Sequence, residues 1–450
     1  MKRLLIGCAL LVAAAAGLGG LWAWNESRPK EKRGSPTIEF EPVRKPPEAI
    51  RPKREVVRQP WPTYGYDLAR TRVAEFNLRP PYRTLWTVRT GNVLEFPPVV
   101  AHGRVFVGQQ RGRFFAIDAA TGRVLWRKHF RHCSAASPTV YNGVVYMPYM
   151  QPYPCAKGNR TARGFLVAMR ARGGKVLWKF RTGAIESSPL RVGNYLIFGS
   201  WDHKLYSLHL ETRKLRWVFE ADDELNSSPA YAAGTVYIAS DGGRVYAVDL
   251  KTGKLRWRAE SFSRFGRREY FYATPAVAYG RVFIGNTDGT MYAYGARSGK
   301  LLWAQDAGTY VYSAAAVWNK TVYVGSYDGN VYAFDAATGD LRWRYSAQGS
   351  IHGAPTILRG LVYFSTCGTC GQNGSRYAKL GPRGTFALNA RTGKLVWTFP
   401  DGQYSPAVAD QERLYVAGRT RVYALAPRRP ARSAAARSAA TVTPARGQTR

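Results

Sequence analysis

Hydrophobic and polar residues alternate along most of the chain with the two-residue period of a β-strand. The stretch from Val322 to Trp343 is representative, because three alternating runs are separated by an Asp-Gly and a Thr-Gly pair, which are typical of hairpin turns. A preceding run such as 227–232 adds a fourth strand to its unit. No helical period appears in these units. The pattern therefore predicts an all-β chain built from repeated four-stranded units.

One tryptophan recurs at the same place in every unit, with spacings of 39 to 54 residues. The eight are Trp86, Trp126, Trp178, Trp217, Trp257, Trp303, Trp343 and Trp397. A period near 40 residues indicates a stacked or radial repeat fold. We expect these side chains to be structural, packed between neighbouring units, and not to bind a cofactor.

Counting the units predicts an eight-bladed β-propeller whose ring is closed by the N-terminal strand. Seven complete units lie between Phe96 and Asp401, and three further strands follow at 405–409, 413–417 and 421–426. The missing fourth strand is present before the first unit, at 84–90. Pairing it with the last three strands closes the ring and removes the open sheet edges.

The repeat resembles that of a known family. From Val245 to Trp257 it reads Val-Tyr-Ala-Val-Asp-Leu-Lys-Thr-Gly-Lys-Leu-Arg-Trp, which resembles the tryptophan-docking repeat of PQQ-like (pyrroloquinoline-quinone-binding-like) propellers. The resemblance covers residues 61–425 and implies the propeller fold. Members of this superfamily include quinoprotein alcohol dehydrogenases, a lipoprotein scaffold of outer-membrane barrel assembly, and receptor sensor domains. Fold alone does not choose among them.

The ends of the chain differ from the repeats. An uncharged run from Leu4 to Trp24 follows Lys2 and Arg3 and is long enough to cross a bilayer as a helix, although a cleaved signal peptide is the alternative. The flanking arms are basic and poor in aromatic residues. The chain thus divides into a signal anchor or transmembrane helix (1–24), a tether rich in Pro, Lys and Arg (25–60), the propeller (61–426) and a disordered Arg-rich tail (427–450).

The charge restricts the partners. With 66 Lys and Arg against 29 Asp and Glu, the formal net charge is +37, which favours anionic partners. No nucleic-acid-binding motif accompanies the charge. With an export signal, we expect a single-pass protein of the cell membrane, its propeller on the extracytoplasmic side. The basic arms are then candidates for binding anionic lipid or a wall polymer.

The loop face of the propeller is the candidate binding surface. It is the face onto which the turns between second and third strands and the links between blades open. Aligning the blades predicts a ring of equivalent positions at the mouth of a central funnel: Glu95, Ala135, Glu186, Asn226, Tyr272, Tyr312, His352 and Gln403. Trp201 interrupts the usual Asp-Gly turn and is a further candidate. Glu186 and Asn226 offer oxygen ligands suited to calcium, and the alternative for the ring is a solvated funnel mouth.

Four cysteines also fall on the loop face. We expect one disulfide between Cys133 and Cys155 and another between Cys367 and Cys370, because this suits an oxidising compartment. The alternatives are a redox centre at the Cys-Gly-Thr-Cys segment or a zinc ion shared by all four.

Enzyme signatures are absent from the sequence. It contains no phosphate-binding P-loop, no Gly-x-Ser-x-Gly and no His-Glu-x-x-His, and it lacks the adjacent cysteine pair that the resemblance implies for quinone-binding members. We therefore expect a protein without catalytic activity or cofactor that binds a protein partner and acts as an assembly scaffold. The alternatives are a dehydrogenase dependent on PQQ and calcium, and a ligand-sensing propeller.

Overall fold

The protein is an eight-bladed β-propeller in the computed structural model, which describes residues 19, 20, 22, 23, 26, 30–41, 60–155, 162–368, 370, 383–404 and 406–428. The predicted number of blades and of strands per blade is confirmed. The predicted tail lies outside the described residues from position 429 onward, as do residues 1–18 of the predicted membrane segment. Within the described ranges, no helix has the length and apolar character needed to cross a membrane.

The strands follow one another in chain order. Two precede the first complete blade: β1 (Val73–Ala74) and β2 (Tyr82–Arg89). Blade one contains β3 (Val99–Ala101), β4 (Arg104–Gly108), β5 (Arg113–Asp118) and β6 (Val124–His129). Blade two contains β7 (Thr139–Tyr141), β8 (Val144–Tyr149), β9 (Arg163–Arg170) and β10 (Val176–Gly183). Blade three contains β11 (Leu190–Val192), β12 (Tyr195–Gly199), β13 (Lys204–His209) and β14 (Leu215–Glu220). Blade four contains β15 (Ala230–Ala232), β16 (Thr235–Ala239), β17 (Arg244–Asp249) and β18 (Leu255–Glu260).

The second half of the ring begins with a small hairpin, β19 (Ser263–Arg264) and β20 (Arg267–Arg268). Blade five contains β21 (Ala276–Ala278), β22 (Arg281–Gly285), β23 (Thr290–Gly295) and β24 (Leu301–Asp306). Blade six contains β25 (Ala316–Trp318), β26 (Thr321–Gly325), β27 (Asn330–Asp335) and β28 (Leu341–Ser346). Blade seven contains β29 (Thr356–Leu358), β30 (Leu361–Thr366), β31 (Gly384–Asn389) and β32 (Leu395–Phe399). Blade eight contains β33 (Val408–Ala409), β34 (Leu414–Ala417) and β35 (Arg421–Pro427).

The N-terminal strand closes the ring as predicted. β2 pairs antiparallel with β35, so blade eight has the strand order β2-β35-β34-β33. The strand that directly precedes blade one in the sequence, β2, is therefore the outermost strand of the last blade. This pairing joins the two ends of the repeat region in one sheet.

The repeat tryptophans lie between neighbouring blades. Six of them donate an indole N–H hydrogen bond to a backbone carbonyl of the next blade: Trp86 to Ala119, Trp126 to Ala171, Trp217 to Leu250, Trp257 to Ala296, Trp303 to Ala336 and Trp343 to Ala390. The ring also packs on the adjoining turn. A Cβ at Gly253, where φ is +72°, would lie 2.6 Å from the Trp217 ring, so glycine is required there. These contacts set the spacing between blades.

Residues 61–74, here called the plug, run along the inside of the ring. Their backbone pairs with the innermost strand of six blades: Trp61 with Val100, Pro62 with Val140, Leu68 with Tyr231, Ala69 with Val277, Thr71 with Val317 and Arg72 with Ile357. The innermost strands would otherwise present unpaired N–H groups to the channel. The plug therefore satisfies the inner edges and fills the channel.

Part of the predicted tether lies against the outside of blades five and six. Lys32 forms an antiparallel bridge with Ala304 on the outermost strand of blade five, and the Gly34 amide donates to the Thr338 carbonyl. The buried Arg281 guanidinium clamps this segment to the propeller. It donates to the carbonyl oxygens of Ser35, Ile38, Glu39, Ala336 and Ala337. Residues 30–41 thus form an extended strap.

Candidate functional site

The funnel on the loop face ends on the plug. Tyr64 of the plug lines its base together with residues from six blades, and the cavity volume among them is about 20 Å³. Each of the six links that precede the inner strands of these blades contributes a large or polar side chain to the lining: Glu95, Asn226, Tyr272, Tyr312, His352 and Tyr404. A volume of this size holds about one water molecule. The funnel is therefore shallow, and side chains fill its centre.

Four aromatic rings from blades five to eight pack against one another in the funnel. The Tyr272 and Tyr312 ring centroids are 4.9 Å apart, those of Tyr312 and His352 5.5 Å, and those of His352 and Tyr404 5.3 Å. All four side chains are half-buried. Edge-to-face and offset contacts of this kind favour a fixed arrangement. One wall of the funnel is thus a rigid, partly exposed aromatic surface.

A disulfide and a further tyrosine support this aromatic wall from behind. The Tyr327 hydroxyl and His352 Nδ1 are 2.6 Å apart, and burial raises the pKa of Tyr327 well above its usual range. Cys367 and Cys370 are joined as predicted, and both pack in the same apolar cluster as Tyr327 and Tyr312. The disulfide thus forms part of the funnel wall, where its neighbours are aromatic rings.

The polar side of the funnel is held by hydrogen bonds that cross between blades. The Tyr272 hydroxyl of blade five donates to Glu186 Oε1 of blade three. Burial and this carboxylate raise the pKa of Tyr272 well above its usual range, so the phenol stays protonated. Glu186 is 8% exposed. Glu186, which was predicted as a calcium ligand, therefore holds Tyr272 of the aromatic wall in place.

Asn226 joins Trp201 to a half-buried acid, Asp241, that was not among the predicted site residues. The Trp201 indole donates to Asn226 Oδ1, and Asn226 Nδ2 donates to Asp241 Oδ2 at 2.7 Å. Burial, with the nearby charges of Glu186 and Glu224, raises the pKa of Asp241 to about 8. In the sequence, Asp241 looks like one more Asp-Gly turn residue. The only signal for it was the neighbouring irregular turn that contains Trp201.

The predicted ring is displaced by one residue in blade eight. Gln403 is fully buried, and its neighbour Tyr404 lines the funnel instead. The proline at 406 precedes its inner strand by two residues, whereas Pro229 directly precedes that of blade four, so alignment on proline and alignment on the strand differ by one residue here. Ala135 is buried at 5% exposure and contributes no polar group.

The second disulfide joins Cys133 to Cys155, as predicted. Both residues lie beside the funnel, in the link before blade two and in the loop that follows β8. Backbone hydrogen bonds between Cys133 and the residues Met150 and Gln151 hold the same loop. Because both pairs are disulfides, the four cysteines are not available as zinc ligands.

Comparison with known families identifies the relatives of this propeller. A family model described as "Outer membrane protein assembly factor BamB", of the PQQ-like repeat type, matches residues 72–217, 159–312 and 287–441. The chain belongs to this family. The resemblance stated from the repeat sequence is confirmed.

Individual relatives are distant. A BamB of Legionella pneumophila (strain Paris) is 23% identical over 131 residues, which cover 27% of this chain and 31% of that protein. The chain thus matches about a third of the relative's length. Among solved structures, BamB from Moraxella catarrhalis has a TM-score of 0.59 at 16% identity and covers 77% of this chain and 100% of its own. A europium-containing methanol dehydrogenase has a TM-score of 0.65 at 12% identity and covers 82% and 98%. Similarities of this size show the fold alone.

The residues of the funnel do not fit the quinone that the dehydrogenase alternative requires. Pockets for organic cofactors usually enclose about 300 Å³ or more, whereas the cavity here is about 20 Å³ and its centre is occupied by the Tyr272 and Tyr312 rings. The bonded cysteines Cys367 and Cys370 are three positions apart, and the sequence holds no adjacent pair. We therefore derive no catalytic step through a quinone.

The calcium hypothesis for Glu186 and Asn226 stays a prediction. One oxygen of each side chain already accepts a hydrogen bond, from Tyr272 and Trp201 respectively. Across the parts of the chain that the structure describes, no group of three or more His, Cys, Asp or Glu is placed to hold a metal ion. A cation bound to these two oxygens would compete with both donors.

Proposed function

We propose that this protein is a non-catalytic scaffold for outer-membrane protein assembly, which holds a protein partner on the loop face of its propeller. The observation that carries the proposal is the funnel itself, whose base is the plug and whose wall is packed aromatic side chains. Such a surface can make contacts with a partner's side chains, but it has no room for an organic cofactor. Half-buried tyrosine and histidine rings are well suited to protein contacts, because they add area at little entropic cost.

The proposed contact surface is the funnel mouth. It comprises Asn226, Tyr272, Tyr312, His352 and Tyr404, with Glu186 holding Tyr272 in place and the buried Trp201 donating to Asn226. The rings are fixed before a partner arrives, so little ordering entropy is lost on binding. The family description supports the assignment of the partner to outer-membrane assembly.

We further propose that the propeller lies on the extracytoplasmic side and is attached to the membrane by its N-terminal segment. Two disulfides support an oxidising compartment. The apolar run from Leu4 to Trp24 supports membrane attachment. The strap at 30–41 would then place blades five and six nearest to the membrane.

The proposal is tested by complementation in the host. We expect deletion of the gene to lower the amount of outer-membrane β-barrel proteins, measured by quantitative mass spectrometry of that membrane, and the wild-type gene to restore it. The double variant His352→Ala/Tyr404→Ala should restore less than half, because it removes two rings of the funnel wall.

The matched control is Arg172→Ala/Arg391→Ala, which changes two exposed residues in turns on the opposite face. It should restore the β-barrel proteins fully. Both purified variants should keep the melting temperature of the wild type. Full restoration by the funnel variant, or an unchanged outer membrane after deletion, would contradict the proposed function.

A further inference from the structure

A second concave surface, the basic groove, lies between blades two and three. It has a volume of about 580 Å³, which is in the range of small-molecule sites. Its principal residues are Arg163, Phe165, Lys179, Arg181, Gly183 and Asp202. It is separate from the funnel, because none of these residues lines the funnel cavity.

The strand register places the three cations of the groove on one face of blade two. In the β9–β10 pair, Arg163 is opposite Gly183 and Arg181 is opposite Phe165. Alternate residues of a strand share a face, so Arg163 and Arg181 are diagonal neighbours, and Lys179 lies on the same face two positions before Arg181 in β10. Like charges at such positions repel each other. An anion between them would relieve that repulsion.

Blades three and four place an acid at the register position that Arg181 occupies in blade two. In blade three, Lys204 Nζ lies 3.7 Å from the Glu220 carboxylate, and in blade four Arg244 Nε lies 3.0 Å from that of Glu260. In blade two, the pair at this position is Phe165 opposite Arg181, and Arg163, two residues before Phe165, is opposite Gly183. No ion pair joins Arg163 to any residue in the described part of the chain.

Packing explains why no acid occupies position 183. A Cβ on Gly183 would lie 2.8 Å from both Asp202 Cβ and Ser200 Oγ, closer than real Cβ contacts. The Gly183 amide also donates to Asp202 Oδ2 at 2.9 Å. The approach of blade three therefore requires glycine and leaves no side chain opposite Arg163.

The remaining side chains define what the groove can hold. Lys179 Nζ lies 4.6 Å from the centre of the Phe165 ring, a cation–π contact that keeps the ammonium beside the two guanidinium groups. Asp202 Oδ2 accepts from Gly183 and from the Tyr206 hydroxyl at 2.8 Å. Asp202 Oδ1 is buried and accepts no hydrogen bond from a described residue.

We propose that the basic groove binds a phosphate group through Arg163 and Arg181, with Lys179 as the third positive charge. Guanidinium groups match the oxygens of a phosphate in bidentate geometry. Inorganic phosphate or a phosphate monoester, with nearly two negative charges, balances the net charge of three cations and Asp202 better than a single carboxylate does. The phosphate is either a monoester group on a lipid headgroup or a free anion. In a headgroup, Asp202 Oδ1 would accept from an ammonium or hydroxyl group.

The experiment is calorimetric titration of the full chain in non-ionic detergent at fixed ionic strength. The two probes are inorganic phosphate and phosphoethanolamine. We expect saturable binding that weakens at least ten-fold in Arg163→Gln/Arg181→Gln. Arg163→Lys/Arg181→Lys should lie between this variant and the wild type, because it keeps the charge but loses the bidentate donors.

The control variant is Arg258→Gln/Arg344→Gln. These exposed arginines occupy the register position of Lys179 in blades four and six, and the change in net charge is the same. It should bind as the wild type does. Tighter binding of phosphoethanolamine assigns the site to a lipid headgroup, and equal binding assigns it to free phosphate. An equal loss in both glutamine variants, or no saturable binding of either probe, would overturn the proposal.

Discussion

Asp241 is the residue at which burial most changes the chemistry of the loop face. Its pKa is raised to about 8 by burial and by the charges of Glu186 and Glu224, while one of its oxygens accepts a hydrogen bond from Asn226. The folded protein therefore keeps this carboxyl protonated at neutral pH, whereas the unfolded chain ionises it above a pH of about 4. Ionisation of Asp241, a turn residue, therefore changes the charge beside Asn226 at the funnel mouth as the pH rises.

This coupling predicts how stability depends on pH. The folded state binds the Asp241 proton more tightly than the unfolded state does. The contribution of this proton to the free energy of unfolding is therefore complete below pH ~4 and is lost as the pH rises towards 8. Asp241→Asn removes this titrating group. Between pH 6 and pH 8, the free energy of unfolding of the wild type should therefore fall by about 2 kcal/mol more than that of the variant. Urea unfolding at several pH values measures the difference. The control is the surface change Glu412→Gln, whose free energy of unfolding should depend on pH as that of the wild type does. The same pH dependence for Asp241→Asn and the wild type would contradict the raised pKa of Asp241.

The blades were predictable from sequence because their signals are local and repeated. Alternating runs, Asp-Gly turns and the periodic tryptophans each report on neighbouring residues, and the closing strand β2 follows from counting them. The plug has no such signal. It neither alternates nor repeats, and its hydrogen bonds reach six different blades. Several of its residues, among them Arg70 and Arg72, have positive φ, which a strand pattern does not anticipate.

The candidate site was predictable only in part for the same reason. Equivalent blade positions identified Tyr272, Tyr312 and His352 as funnel residues. The hydrogen bond from Tyr272 to Glu186 and the burial of Asp241 depend on distances across the ring. No alignment of blades supplies these distances. The shift from Gln403 to Tyr404 likewise comes from a link whose length differs from the others.

Arg70 connects the plug to the blades, and its replacement tests the role of this element. Its fully buried guanidinium donates to the Pro229 carbonyl at 2.9 Å, to the Ser188 and Pro189 carbonyls at 3.4 Å, and to Tyr64 within the plug. Arg70→Met should leave several buried carbonyls without a donor and lower the free energy of unfolding by about 3 kcal/mol. Chemical denaturation measures this. The exposed change Arg127→Met should lower the free energy of unfolding by less than about 0.5 kcal/mol. An equal effect of the two substitutions would contradict the role of the plug in stabilising the blades.

At the scale of the whole molecule, the propeller presents two faces of different character. The loop face carries the aromatic funnel and both disulfides. The opposite face carries the repeated turns whose glycines pack under the repeat tryptophans. The plug occupies the channel between the two faces. The fold therefore separates a face that varies from blade to blade from one that repeats.

The formal charge of +37 adds long-range attraction to anionic surfaces, which is screened over about 8 Å at physiological ionic strength. Such attraction brings partners together but does not select among them. Selection is a property of fixed local geometry. In this molecule that geometry is the aromatic wall for a protein partner and the basic groove for a phosphate.

The most direct measurement of the central claim is site-specific photo-crosslinking in living host cells. A photoreactive residue replaces Tyr404 at the funnel or, as the control, Arg391 on the opposite face. We predict that the funnel position crosslinks to a component of the outer-membrane β-barrel assembly machinery and that the opposite position does not. A crosslink to that component from Arg391 alone or equally from both positions, or its absence at Tyr404, would contradict the account.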